Sequence, residues 1–204
     1  VVLESSGRIE LALPGGTRAI LSAPGEGPIE FHPVHQDQGS FVQIVASKGA
    51  DLSATGEELS HLKAESITLL ARGGTEEKKE FELVSVDAEG HVVAESRGDT
   101  FRADQATFRV TPRGRLEHVD LTGAVSLESV EGKVRGARAT FDFAATGQPE
   151  KAHVEEEVVM ERGDDVFHAR SADFRFAPDG KFAGATLVGE PTGKVAIGRY
   201  LPPG

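Results

Sequence analysis

Between Phe101 and Val110 apolar and polar side chains alternate, and the same pattern returns twice at a spacing of 33 residues. The apolar or glycine positions are Phe101, Ala103, Ala106, Phe108 and Val110 in the first copy. They are Val134, Gly136, Ala139, Phe141 and Phe143 in the second, and Phe167, Ala169, Ala172, Phe174 and Phe176 in the third. The intervening positions are polar in every case but Ala137. A period of two predicts a strand with one dry and one wet face. A fixed period over three copies predicts one supersecondary unit used repeatedly. The alternation slips once per copy, at Asp104-Gln105 and again at Arg170-Ser171. One extra residue between two inward-facing sets predicts a β-bulge, which bends and twists a strand. Repeated in register, such bulges predict a crease across the whole sheet.

A return strand completes each unit. Val119, Leu121, Gly123, Val125 and Leu127 share one parity, as do Ala152, Val154, Glu156, Val158 and Met160. The third copy has Ala185, Leu187 and Gly189, and then Pro191 interrupts. Turns are predicted at Pro112-Arg113-Gly114, around Gly147, and at Pro178-Asp179-Gly180, where the residues suit a fixed or positive φ. Ankyrin repeats share the period, but the strand alternation and the lack of a TPLH-type helix start argue against them. Glu156 is the odd residue, standing where the other copies have Gly123 and Gly189. A second bulge, an open rim and a buried acid would each accommodate it. The cost of burying a carboxylate favours the rim.

The rest of the chain is less regular. Residues 9–13 and 18–22 read as two strands of a hairpin. Residues 23–40 are rich in Gly and Pro and read as a linker or long loop. His32 and His35 lie there, spaced as metal ligands can be, but no third ligand is evident, so no metal site is expected. Residues 41–46 read as a strand. Residues 57–71 fit a capped helix, through Thr55 and Glu58, but also fit the strand template through Leu62, Ala64, Ile67, Leu69 and Ala71. The strand reading, a degenerate fourth copy, is preferred. The charged run 75–80 reads as a solvated turn. Residues 81–86 and 91–96 flank Asp87-Ala88-Glu89-Gly90, a hairpin signal. The expectation is a single elongated domain over 1–204. Its best-defined units are 99–128, 132–161 and 165–197, and residues 1–60 supply less certain strands and a loop.

Composition agrees with an all-β chain: 24 Gly and 10 Pro punctuate short alternating segments. The net charge of −11 makes nucleic acid an unsuitable partner. Without cysteine there are no disulfides and no thiolate metal ligands. No apolar run approaches the roughly 18 residues of a membrane helix, and no signal peptide is visible. None of the spacings HExxH, GxSxG, P-loop or GxGxxG occurs, so no catalytic residues are expected. The acidic clusters Glu155-Glu156-Glu157 and Asp164-Asp165 read as a solvated face. What remains is an apolar face that mixes large Phe with small Ala and Gly. It fits an ordinary packed core, and it fits a creased sheet whose interior is not filled by its own side chains.

FRADQATF with LTGAV, VRGARATF with VEEEV, and FHARSADF with LVGEP resemble the OstA-like domain. This is the periplasmic fold of lipopolysaccharide-transport proteins of the LptA and LptC type and of the N-terminal part of the LptD translocon. The likeness is good over residues 99–190, weak over 60–98 and nearly absent over the first 40. It implies a V-shaped, open antiparallel β-jellyroll whose interior holds acyl chains, without enzymatic activity or cofactor. The expected groove lining is Phe101, Phe108, Val110, Leu121, Val125, Leu127, Val134, Phe141, Phe143, Val154, Val158, Phe167, Phe174, Phe176 and Leu187. The implied partners are lipopolysaccharide or a related acylated lipid, and other jellyroll domains, including further copies of this chain, through edge strands. The implied location is the periplasm of a Gram-negative envelope, with an inner-membrane anchor outside this chain left open. Glu156 in place of Gly, the long N-terminal third and the acidity depart from the resemblance. The alternative is a structural β-module that assembles edge to edge around a closed, lipid-free core.

Overall fold

The structure, a computed structural model, describes residues 3–13, 18–24, 27–36, 39–55, 61–72, 82–96, 98–130 and 132–194. These residues form sixteen strands in one antiparallel sheet that does not close into a barrel. In chain order they are β1 (Leu3–Ser6), β2 (Arg8–Ala12), β3 (Arg18–Ser22), β4 (Pro28–Gln36), β5 (Gly39–Ala46), β6 (Ala50–Thr55), β7 (His61–Ala64) and β8 (Ser66–Arg72). There follow β9 (Glu82–Ser96), β10 (Asp99–Val110), β11 (Leu116–Ser129), β12 (Gly132–Phe143), β13 (Pro149–Arg162), β14 (Asp165–Phe176), β15 (Phe182–Val188) and β16 (Thr192–Lys194).

The sixteen segments make eleven long passes. Five pairs, β1/β2, β3/β4, β5/β6, β7/β8 and β15/β16, are single passes interrupted near their middle. Each pass pairs with its neighbours in sequence, so the sheet is a meander. All the interruptions fall on one line. The line runs from Gly7, whose carbonyl accepts the Ala23 N–H at 3.0 Å, to Glu65, whose N–H donates to Gly90 at 2.9 Å. It continues through the register shifts at Arg102/Gln105, Thr122/Val125, Arg135/Arg138 and Glu155/Val158. This is the crease that the repeated bulge predicts. It divides the sheet into two wings. The first holds β2, β3, β6, β7 and the portions 92–96, 99–103, 125–129, 132–136, 158–162 and 165–169. The second holds β1, β4, β5, β8 and the complementary portions of the longer strands, with β15.

The crease has its own chemistry. On alternate passes two successive residues take positive φ: Gly90 and His91, Gly123 and Ala124, Glu156 and Glu157, Gly189 and Glu190. Each pair lies 33 residues after the last. Glu156 therefore sits at a second bulge and is exposed there, with φ 63°, rather than on the rim. Glycine stands at the first position where a long neighbour folds over it. A Cβ at Gly90 would lie 2.8 Å from Glu65 Cβ, one at Gly123 2.7 Å from Asp104 Cβ, and one at Gly189 2.6 Å from Arg170 Cβ. In the second unit the residue equivalent to Asp104 and Arg170 is Ala137, and there glutamate replaces glycine. The two exceptions in the repeat are thus one local exchange: where the neighbour is small, the Cβ is tolerated and only the positive φ remains costly.

Two readings of the sequence fail. The hairpin at 87–90 is absent: β9 runs unbroken from Glu82 to Ser96, because Gly90 serves the crease and not a turn. Residues 28–36 and 39–40 are strand rather than loop, in β4 and β5. Pro33 is accommodated because β1 covers only Pro28–Phe31, so the missing N–H falls on an open edge. The hairpin of β2 and β3 is observed, and 61–72 is strand, as the degenerate copy predicts. The run 75–80 and residues 195–197 lie outside the described residues. The three unit turns are alike: Gly114, Gly147 and Gly180 have positive φ and donate to Thr111, Ala144 and Ala177 at 2.7–2.8 Å.

Candidate functional site

The inward faces of the two wings meet along the crease and diverge toward the rims. Next to the crease the packing is tight: Leu121, Val125, Val154, Val158 and Ala172 are all at most 2% exposed. In the N-terminal half the filling extends outward. Leu21, Ile29, Ile44, Leu62, Ile67 and Leu69 are wholly buried and close the space between the wings. Branched aliphatic side chains from facing strands interdigitate there to ordinary interior density.

The C-terminal half differs. A cavity of about 570 Å³ lies between the wings and reaches the hairpin rims on both sides. It exists because the repeat places small residues, such as Ala152 and Gly132, beside rings that hold the wings apart. Phe101 of the first wing meets Phe141 of the second edge to face, with centroids 5.6 Å apart. Phe141 also lies 6.4 Å from Phe143, and Phe174 lies 6.3 Å from Phe182. The rings act as struts across the trough.

Eight of the fifteen expected lining residues face this cavity: Phe101, Phe108, Leu127, Val134, Phe141, Phe143, Phe174 and Phe176. Leu121, Val125, Val154 and Val158 lie beneath it, in the closed packing at the crease. Val110 and Leu187 are partly buried against the core, and half-buried Phe167 packs beside Gly193, away from the cavity. The lining also includes Leu116, Val119, Met160 and Phe182. Val119 and Met160 carry the inward parity of the return strands, so the sequence marks them as well as it marks Leu127.

The mouth is polar and of mixed sign. Asp99, Glu128, Glu161 and Asp179 stand with Lys133, Arg162 and Lys181. Lys133 Nζ is 3.9 Å from Glu128, and Lys181 Nζ is 2.8 Å from Asp179. Glu161 accepts a hydrogen bond from Arg135. The Arg162 guanidinium lies 6.0 Å from the centre of the Phe182 ring, across the mouth from one wing to the other. The Lys181 side chain and backbone N–H hold the Asp179 carboxyl below its ordinary value, and the carboxylate in turn raises the Lys181 ammonium. Both groups are fully exposed, so this pairing organises the turn more than it stabilises the fold.

The histidines lie on the wet face, each against acids on the same or neighbouring strands. His118 donates to Asp142 at 2.7 Å and lies 3.2 Å from Asp120. His153 donates to Asp173 at 2.7 Å and His61 to Asp51 at 2.7 Å. His32 lies 3.0 Å from Glu30. Among the described residues no three His, Cys, Asp or Glu side chains converge as a metal cluster. No helix of the described residues is long and apolar enough to cross a membrane. No family model matches the chain, and no curated protein matches it.

Proposed function

We propose that the chain is a non-enzymatic periplasmic lipid-transport or bridge protein of the lipopolysaccharide-transport kind, which shields acyl chains between the inner and outer membranes. One observation carries this reading: a 570 Å³ apolar cavity held open by aromatic struts and reaching the rims of both wings. An acyl chain in water costs roughly 0.8 kcal/mol per methylene, so a dozen carbons amount to about 10 kcal/mol. An apolar trough removes that cost without gripping a head group, which stays wet at the mouth. The free side of the outermost strand β15 offers backbone groups for a further strand from a neighbouring domain, including another copy.

The test is lipid extraction and mass spectrometry of the gently purified protein, beside a Phe141→Glu variant checked for folding by circular dichroism. Stoichiometric acylated lipid in the wild type, lost in the variant, is the expected result. A lipid-free wild type that also refuses added lipid would sink the reading. The closed N-terminal half favours a second reading, a structural β-module assembled edge to edge, which predicts lipid-independent filaments that lengthen with protein concentration.

A further inference from the structure

We infer that the cargo is a single-chain lipid whose head group carries no net negative charge, a narrower class than the multi-acylated, polyanionic glycolipid that the family resemblance implies. The inference rests on the lipid-carrying reading. Its first support is capacity. With each methylene taken at roughly the ~30 Å³ of a liquid water, the cavity of about 570 Å³ holds on the order of twenty carbons, or one long acyl chain. It cannot borrow space from the N-terminal half, where residues such as Leu62 and Ile67 are wholly buried between the wings.

The second support is the charge at the mouth. Four carboxylates face three cations there. Lys133 and Lys181 each lie within ion-pair distance of one of those carboxylates, and Arg162 is seated over Phe182. A phosphate-rich head group needs several convergent cations with no carboxylate between them. Here it would meet a net negative mouth on a chain of net charge −11. A zwitterionic head suits the same mouth, with its phosphate near Lys133 and Arg162 and its ammonium near Glu128 and Asp179.

The test is native mass spectrometry of the full chain with three probes. These are lysophosphatidylethanolamine and lysophosphatidylglycerol, sharing one acyl chain of about 18 carbons, and hexa-acylated bisphosphorylated lipid A. The expected result is one lysolipid per chain, with the zwitterionic probe about threefold to tenfold tighter than the anionic one at low salt, a gap that closes as salt is raised. Lipid A forms no stoichiometric adduct. The exposed pair Glu128→Lys and Asp179→Lys reverses the head-group preference while the chain is still taken up, and Met160→Trp, which fills the cavity, weakens both lysolipids alike. Stoichiometric lipid A, or a preference for the anionic probe in the wild type, overturns the inference and leaves the lipid-carrying reading standing. Refusal of all three probes overturns both.

Discussion

Replacing Gly123 with alanine places a methyl group where Asp104 already sits. The new Cβ would lie 2.7 Å from Asp104 Cβ and 2.8 Å from its Cγ, and the backbone φ of +77° is one that L residues enter at a cost. The left-handed backbone accounts for about 1–2 kcal/mol. Pushing Asp104 off its rotamer adds about 0.5–1.5 kcal/mol. Gly123→Ala alone should therefore destabilise the chain by roughly 2–3 kcal/mol. In an Asp104→Ala background only the backbone part remains, so the same change should cost about 1–2 kcal/mol. The pair should couple by about 0.5–1.5 kcal/mol in a double-mutant cycle measured by urea unfolding. This is the exchange that the chain itself carries at Ala137 and Glu156. Equal costs in the two backgrounds would refute the account of the crease as a set of matched small and large neighbours.

The remaining predictions concern the interior and the wet face. Ile67→Ala, in the closed half, should cost about 3–4 kcal/mol in urea unfolding, because a wholly buried aliphatic leaves an empty hole. Val134→Ala, half-buried beside the existing cavity, should cost about 1 kcal/mol and enlarge a space already there; similar costs at the two sites would mean that the C-terminal interior is packed like the N-terminal one. At His118, burial disfavours the charged ring, but the hydrogen bonds and negative charges of Asp142 and Asp120 together outweigh it and raise its pKa above the ordinary 6.5. The charged ring thus contributes stability in full below about pH 6.5, and this is lost as pH rises through the raised value. The advantage of the wild type over His118→Asn, read from urea midpoints between pH 5.5 and 8, should shrink with rising pH, and an advantage that grows instead would remove the ion pairs as its cause.

Much of this architecture was legible before any coordinates. The alternation of Phe108, Phe141 and Phe174 with polar neighbours located strands β10, β12 and β14. The doubled polar residues at Asp104-Gln105 located their bulges. The reading weakened wherever one residue serves two geometries. Gly90 after Asp87 looks like a turn because positive φ suits turns, yet it lies 33 residues before Gly123 and belongs to the same crease. Pro28 and Pro33 look like loop residues because proline lacks a donor, but at a strand start or an open edge no donor is needed. Of the candidate site, the ring-bearing strands were legible and the boundary of the cavity was not. Val154 and Phe143 share a parity, but one lies at the crease and the other near the rim. Distance from the fold line, rather than the face alone, separates packed floor from open lining.

The crease and the lining use different residues, and this governs how such a molecule can grow. Each 33-residue unit contributes one outward and one return pass, and every pass crosses both wings. Inserting a unit would lengthen the trough by two strands while leaving its cross-section, its crease and its two terminal edges as they are. Deleting one would shorten it in the same way. Compartment length is thus set by copy number, and compartment width by which rings stand as struts. Gene duplication and point substitution therefore act on separate dimensions of the same interior.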